Sequence, residues 1–202
     1  MQGYGVDMFD VHATMRKLAE RRPIFHSEAD FQHELAWQMR LDCKDICIRL
    51  EYRIGGSSKR EHIDIIAYNN PTFHVFELKY KVHLMDCEYN REKFSLRAQG
   101  GDDVSYILYL QDIERLERNF DKCGPNVVTY PIFLTNFLKF RTGRDSYCNI
   151  IEGQKLQGLH RYRNKSASLS RRYVMRWRDF STVTCNGKSR SFIYGIAEPV
   201  GA

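Results

Sequence analysis

The sequence predicts an α/β protein in which helices flank a mixed central β-sheet. Three features carry this prediction: apolar residues at helical spacing near the N-terminus, three short apolar segments joined by turn residues, and a long amphipathic stretch followed by another apolar run. With 202 residues, 43% of them hydrophobic, the chain is long enough to form one domain with a sizeable core. Further apolar runs near the C-terminus predict extra strands beyond this core.

Two helices are predicted before the first strand. Apolar residues recur near helical spacing close to the N-terminus, and a second helix is expected over about 28–40. Ser27 can cap this second helix, and Phe31 and Leu35 begin its buried stripe. Glu34 borders that stripe. Because the helix has to pack on one face of the sheet, we expect Glu34 to bring a carboxylate towards the strands.

Strands are predicted wherever short apolar runs lie between turn residues. The first three runs are joined by GGSSK and NNPT, so an antiparallel meander is expected. A long helix should begin near residue 102 and end at the CGP of 123–125. The predicted strands are 47–55, 62–68, 73–82, 126–136, 171–183 and 191–199. The segment 153–170 shows no clear period and is predicted to be a long mobile loop.

Positive charge is concentrated towards the C-terminus. Residues 139–178 contain eleven Lys or Arg and only two acidic residues, which gives +9, while the rest of the chain carries −3. Aromatic residues are interspersed among these cations. Such a region is typical of a polyanion-binding surface, and the alternative is a solvated face whose aromatic side chains pack inward.

Several classes of protein are excluded by composition. No apolar run approaches the roughly 20 residues that span a bilayer, so no membrane partner is expected, and the N-terminus lacks the apolar core of a signal peptide. Six cysteines are scattered without a CxxC pair, which argues against a structural zinc site. Reduced thiols in a cytoplasmic protein are therefore expected.

The predicted hairpin EHIDIIAYNNPTFHVFELK carries three charged residues inside apolar strands. If its turn is centred on Asn70–Pro71, the numbers of facing residues add up to about 141. Asp64 then lies opposite Glu77, and Lys79 shares their face. The other face carries only apolar side chains and should face the core: Ile63, Ile65, Phe76 and Leu78.

Two directly opposed carboxylates destabilise a sheet by about 0.2–1 kcal/mol, and burial increases the cost. A divalent cation removes this cost, because hard cations take oxygen ligands. The neighbouring Lys79 could orient a water molecule or offset charge that develops on a phosphate. The alternative is an exposed sheet face on which Lys79 neutralises Asp64 and Glu77 in solvent.

The order of these residues resembles the PD-(D/E)XK nuclease superfamily. An acidic residue on a helix, an Asp on one strand and Glu-x-Lys on the next appear here as Glu34, Asp64 and Glu77-Leu78-Lys79. Members often carry a Gln at the start of the following helix, where Gln99 stands. The resemblance covers about residues 22–140, to which the predicted αβββαβ order also corresponds. The residue before Asp64 is Ile rather than Pro, which departs from the motif.

The resemblance implies a restriction-endonuclease-like αβββαβ core with a mixed sheet, within a single nuclease domain over 1–202. The part beyond about 139 would be a basic elaboration with extra strands. The implied activity is Mg²⁺-dependent hydrolysis of DNA, with Mn²⁺ as a substitute, most simply as an endonuclease. Asp64, Glu77, the Leu78 carbonyl and Glu34 would hold the metal. Lys79 would position the attacking water, and Gln99 would orient water, phosphate or Lys79.

DNA is the expected partner, and a homodimer or a partner subunit is left open. The residues expected to contact DNA are Lys81, Arg161, Arg163, Lys165, Arg171 and Arg172. Two other functions compete with a nuclease. One is a nuclease-like but non-catalytic subunit that binds nucleic acid or takes part in assembly. The other is a different metal-dependent enzyme, which would follow if the register of the hairpin were wrong.

Overall fold

The computed structural model describes residues 9–54, 61–97, 102–120, 123, 125–143 and 150–201. Its helices are α1 (Val11–Arg21), α2 (Glu28–Asp42), α3 (Asp102–Phe120) and the short α4 (Lys139–Thr142). Its strands are β1 (Cys47–Arg53), β2 (His62–Asn69), β3 (Thr72–Lys81), β4 (Met85–Tyr89), β5 (Glu92–Leu96), β6 (Val127–Thr135), β7 (Lys155–Tyr162), β8 (Lys165–Cys185) and β9 (Lys188–Pro199). No helix among these residues is long and apolar enough to cross a membrane.

The predicted α/β architecture with a mixed sheet is confirmed. Seven strands form one sheet in the order β1-β2-β3-β6-β9-β8-β7, in which only β3 and β6 run parallel to each other. The parallel pair follows from the crossover through α3, since parallel strands need a long connection. The extra strands after β6 extend the sheet on one side, as predicted.

Helices cover both faces of the sheet. The buried face of α1 and α2 packs with one set of alternating strand residues, which includes Ile65, Phe76 and Leu78. The buried face of α3 packs on the opposite side, largely against β8 and β6. Ile63 departs from its predicted face, because it packs with Val75 and Leu116 on the α3 side.

The predicted start of α2 is also confirmed, and so is the predicted hairpin register from Asn69–Thr72 to Ile65–Phe76, while the expected opposition of Asp64 and Glu77 lies beyond the paired residues. The Ser27 hydroxyl accepts a hydrogen bond from the Asp30 amide at 3.1 Å, which caps α2. In the hairpin, Ile66 faces Val75 and Ile65 faces Phe76, so the residue numbers add up to 141 as expected.

The prediction of a loop over 153–170 is wrong. This segment forms β7, a tight turn and the first part of β8, which pair in antiparallel fashion. The alternation was hidden because Gly158, with φ +78°, accompanies a register shift, and because His160 and Tyr162 occupy partly buried positions where apolar residues would be recognised. A second unpredicted element is the separate β4–β5 hairpin.

The expectation of reduced thiols is wrong for one pair of cysteines. Cys87 of β4 and Cys185 of β8 form a disulfide across 98 residues of sequence. This bond fastens the β4–β5 hairpin to the end of the long strand β8. Among the described cysteines, Cys43, Cys47 and Cys123 are free thiols.

Candidate active site

Asp64 and Glu77 lie just beyond the end of the backbone pairing between β2 and β3. The paired residues run from Asn69–Thr72 to Ile65–Phe76. Beyond them, the Asp64 carboxylate accepts a hydrogen bond from the Leu78 amide at 2.6 Å. The Asp64 side chain thus satisfies a backbone amide of the neighbouring strand, and this contact fixes the carboxylate beside the Glu-x-Lys segment.

Helix α3 supplies a counterion that sequence reasoning did not identify. Arg115 donates from Nε to one Glu77 oxygen at 2.7 Å and from Nη2 to the other at 2.5 Å. Its Nη2 also donates to Asp112 at 3.0 Å. A bidentate guanidinium–carboxylate pair of this kind is strong and directional. Glu77 is therefore held from the α3 side of the sheet.

Lys79 lies between two carboxylates from opposite layers. Its Nζ is 3.5 Å from the Asp112 carboxylate of α3 and 3.6 Å from the Glu28 carboxylate of α2. The other Glu28 oxygen accepts a hydrogen bond from the Tyr80 amide at 2.8 Å. Glu28, in the first turn of α2, is thus the helix carboxylate that reaches the strands.

Glu34 does not join this group. Its carboxylate is paired with Arg21 of α1 at 2.5 Å, and Arg21 also donates to the Glu34 carbonyl. The reason is the rotation of α2 on the sheet, which directs the first turn towards β3 and the Glu34 position towards α1. The expectation that Glu34 approaches Asp64 and Glu77 is therefore corrected in favour of Glu28.

A fifth carboxylate comes from β1. Gln32 of α2 donates from Nε2 to the Asp64 carbonyl at 2.7 Å and to the Glu51 carboxylate at 2.8 Å. Glu51 has φ +50°, a left-handed conformation that costs energy for a non-glycine residue. This conformation interrupts the regular β1–β2 pairing beside Asp64.

Burial and mutual repulsion disturb the protonation of these groups. Burial raises the pKa of Asp64 to about 6, helped by the negative charges of Glu28 and Asp112. Burial also raises the pKa of Glu77 to about 8, although the hydrogen bonds from Arg115 act in the opposite direction. Burial is thus the main cause of both raised pKa values, and neighbouring negative charges add to it.

The formal charge of this group of side chains is negative. Five carboxylates influence one another here, whereas Lys79 and Arg115 supply two positive charges, which leaves a formal −3. Burial alone would lower the pKa of Lys79, but Asp112 and Glu28 raise it, so the ammonium stays protonated. We name this group the carboxylate cluster: Glu28, Glu51, Asp64, Glu77 and Asp112, together with Lys79 and Arg115.

The donor set of the carboxylate cluster suits a hard divalent cation. Carboxylate and carbonyl oxygens are the ligands that Mg²⁺ and Mn²⁺ prefer, and a charge of +2 would reduce the formal −3 to −1. The Asp112 oxygen that makes no hydrogen bond is buried and lies 3.5 Å from the Lys79 ammonium, so Lys79 already faces it. Within the described ranges, no three acidic, His or Cys side chains already lie close enough together to hold a metal. The carboxylate cluster thus offers the oxygen ligands that the cation prefers, while Arg115 occupies both oxygens of Glu77.

Among the described residues that were predicted to contact DNA, Lys81 is the one that is fully buried. Its side chain is only 2% exposed, because β3 is a central strand covered on both faces, so the prediction that Lys81 contacts DNA at the surface is corrected. The others lie on the hairpin formed by β7 and β8, where all are exposed except the half-buried Lys165: Arg161, Arg163, Lys165, Arg171 and Arg172. Gln99 lies outside the described residues, so its role stays a prediction.

Helix α3 connects this basic hairpin with the carboxylate cluster. Glu117 accepts hydrogen bonds from the backbone amides of Ser170 and Arg171 at 2.9 Å each. Gln111, one turn and a half earlier, donates to the Ser166 carbonyl at 2.8 Å. The same helix thus holds the hairpin with one side and Glu77 with another.

One signal could have revealed the α3 residues. Asp112 falls between Tyr109, Ile113 and Leu116, which form the buried stripe of the helix, so a charged residue stands where an apolar one is expected. A buried charge needs a partner, and Arg115 lies three residues further along the helix. No comparable signal separates Glu28 from Glu34, because the choice depends on how α2 rotates against the sheet.

Comparisons with known proteins give no relative from which a function can be transferred. The scan of protein-family models matches none, and no curated protein or solved structure shows significant similarity to the chain. The residues of the carboxylate cluster and their geometry are therefore the features from which a function can be inferred.

Proposed function

We propose that this protein is a metal-dependent deoxyribonuclease of the PD-(D/E)XK type that cuts within DNA strands. The observation that carries the proposal is the convergence of Asp64, Glu77 and Lys79 at one point between α2 and α3, with an excess of negative charge that calls for a cation. The element order supports it, since α2, the β1–β3 meander, α3 and the parallel strand β6 follow the restriction-endonuclease-like order, with the β4–β5 hairpin inserted.

Each residue has a role that follows from its contacts. Asp64, Glu77 and the Leu78 carbonyl would hold Mg²⁺ or Mn²⁺. When bound, the cation would supply charge neutralisation on the phosphate and an acidified water molecule. Lys79 is protonated and positioned by Asp112 and Glu28, so it acts as an electrostatic and hydrogen-bonding group rather than as a base.

The basic hairpin would bind the DNA backbone. Arg171 and Arg172 are exposed, and the amide of Arg171 is fixed by Glu117 on the helix that also reaches Glu77. Contacts from Arg to phosphate position DNA without reading its sequence, and they weaken with salt. A substrate bound along β7 and β8 would thus be held by an element that is docked on α3.

A non-catalytic DNA-binding subunit is the second candidate, and one observation favours it. Each charged group of the Glu-x-Lys segment already has a partner, since Glu77 is paired with Arg115 and Lys79 with Glu28 and Asp112. Charged pairs of this kind could serve only to hold α2 and α3 on the sheet. The cytoplasmic location belongs to both proposals, although the Cys87–Cys185 disulfide is uncommon for that compartment.

A plasmid-cleavage assay tests the first proposal. Supercoiled plasmid, linear duplex and single strands are incubated with Mg²⁺ or Mn²⁺ and with wild type, Asp64→Asn, Glu77→Gln or Lys79→Met. Asp45→Asn is the matched control, because Asp45 is exposed in the turn after α2. We expect nicking and linearisation by wild type and the control, and a loss of about 100-fold or more in the three site variants. Binding of DNA without any cleavage by wild type would favour the second candidate.

The DNA-binding surface has its own test. The double variant Arg171→Glu/Arg172→Glu is compared with Lys44→Glu/Lys93→Glu, which makes the same change of charge at exposed positions outside the hairpin. We expect the first variant to weaken binding to a duplex at least about tenfold and to flatten its salt dependence. Equal weakening by both variants would show that only the overall charge matters.

A further inference from the structure

Arg115 and Glu77 form an ion pair in which only the arginine is partly exposed to solvent. The Arg115 side chain is 26% exposed, whereas the Glu77 side chain that it holds is 1% exposed. The guanidinium is therefore partly exposed to solvent while it occupies both oxygens of a buried carboxylate. A metal cation that binds Glu77 would therefore compete with Arg115 for the same carboxylate oxygens.

The geometry also provides Arg115 with a second anchor. Asp112, on the preceding turn of α3, accepts a hydrogen bond from Nη2 at 3.0 Å. The Nη1 nitrogen has no hydrogen-bond acceptor in the part of the chain that the structure describes. Arg115 can therefore leave Glu77 while it keeps Asp112, and it has N–H groups to offer to a new acceptor.

We propose that Arg115 switches partners during the reaction, from Glu77 in the resting protein to the phosphate of the bound nucleic acid when a divalent cation takes Glu77. The inference rests on the proposed nuclease function. It makes Arg115 a catalytic residue that contacts substrate, because a guanidinium matches two phosphate oxygens as well as it matches a carboxylate.

The switch gives Arg115 one role before the metal binds and another when metal and DNA are both bound. Arg115 pairs with both oxygens of Glu77, so this carboxylate has a counterion before a metal binds. When metal and DNA are both present, the guanidinium adds one positive charge beside the phosphate, where Asp112 still orients it. Metal and DNA binding should consequently be coupled, because metal frees the group that DNA needs.

Calorimetric titration with Mn²⁺ alone tests the first half of the proposal. We expect Arg115→Gln to bind Mn²⁺ about tenfold more tightly than wild type, because a competing charge about one hydrogen-bond length from Glu77 has been removed. Arg118→Gln is the matched control, since Arg118 lies one turn further along α3 and pairs with the Glu61 carboxylate at 2.8 and 2.9 Å. It should leave the Mn²⁺ affinity unchanged. Unchanged or weaker Mn²⁺ binding by Arg115→Gln would overturn the proposal.

Duplex binding and cleavage test the second half. In wild type, Mn²⁺ should tighten binding of a short duplex. In Arg115→Gln, this tightening should decrease, and kcat should fall about 100-fold with a smaller change in KM. Cleavage by Arg115→Gln at the wild-type kcat would overturn the switch while leaving the nuclease proposal intact.

Wild type without cleavage and a variant that does not fold are two further cases. If wild type cleaves nothing, the nuclease proposal fails and the transfer to phosphate fails with it, whatever the Mn²⁺ titration shows. If Arg115→Gln does not fold, Arg115→Lys replaces it. A single ammonium cannot hold both Glu77 oxygens in the same way, so this variant should show an intermediate gain in Mn²⁺ affinity, and no gain would count against the switch.

Discussion

Replacement of Asp64 by Asn should make the protein more stable and inactive. The Asn side chain keeps an oxygen that can accept the hydrogen bond from the Leu78 amide, now 2.6 Å from the Asp64 carboxylate. It removes the negative charge that is buried and faces Glu28, Asp112 and Glu51. The change therefore separates the hydrogen bond, which supports the fold, from the charge, which opposes it.

The magnitude follows from the pKa of Asp64, which rises from 3.8 to about 6 in the folded protein. A raised pKa means that the folded state binds the proton more tightly than the unfolded state. The free energy of unfolding of wild type therefore falls as the pH rises from about 4 through about 6, by up to about 3 kcal/mol. Since Asn does not titrate, the advantage of Asp64→Asn should be near zero at pH 4 and reach about 2–3 kcal/mol at pH 7.5.

Thermal and urea unfolding at pH 4, 5.5 and 7.5 without divalent cations measure this advantage. For a chain of this size, the increase in Tm at pH 7.5 should be about 4–12 °C. Asp45→Asn, at an exposed position, is the control and should change Tm little at any of the three pH values. Lower stability of Asp64→Asn at pH 7.5, or an advantage that does not grow with pH, would refute the reasoning. Mn²⁺ should stabilise wild type and not Asp64→Asn.

Two other predictions follow from contacts that the sequence did not reveal. Glu28→Gln should lower nuclease activity about tenfold or more, because it removes a charge that positions Lys79, whereas Glu34→Gln should retain nearly full activity; equal losses in the plasmid assay would contradict the assignment of Glu28. Cys87→Ser should lower the free energy of unfolding by about 2–5 kcal/mol, because it removes a covalent link to Cys185 across 98 residues, and a reductant should lower the Tm of wild type but not of the variant. A wild-type Tm that is insensitive to reductant would show that the disulfide does not support the fold.

The parts of the fold that depend on local pattern were predictable. The Ser27 cap and the β2–β3 register both follow from residues close in sequence. Asp64, Glu77 and Lys79 could be grouped for the same reason, since a hairpin converts sequence spacing into neighbouring positions.

The parts that failed depend on packing between distant elements. The β7 strand was missed because its register shift at Gly158 and its polar inward positions are recognised only once β8 lies beside it. Glu34 was preferred to Glu28 because a helical stripe gives the buried side of α2 but not its rotation over β3. The partner of Glu77 was missed because Arg115 follows it by 38 residues and reaches it only through the packing of α3 on the sheet.

These missed residues decide how the site can work. Without Arg115, Lys79 would be the single positive group of the carboxylate cluster, and the burial that raises the pKa of Glu77 would be opposed by fewer hydrogen bonds. Arg115 gives Glu77 a positive partner and Asp112 gives Lys79 a negative one, and both extend from the helix that also holds the basic hairpin through Glu117. DNA bound on the hairpin would therefore approach the helix from which Arg115 extends. On this basis the exchange of Arg115 between Glu77 and phosphate connects substrate binding with the opening of the metal site.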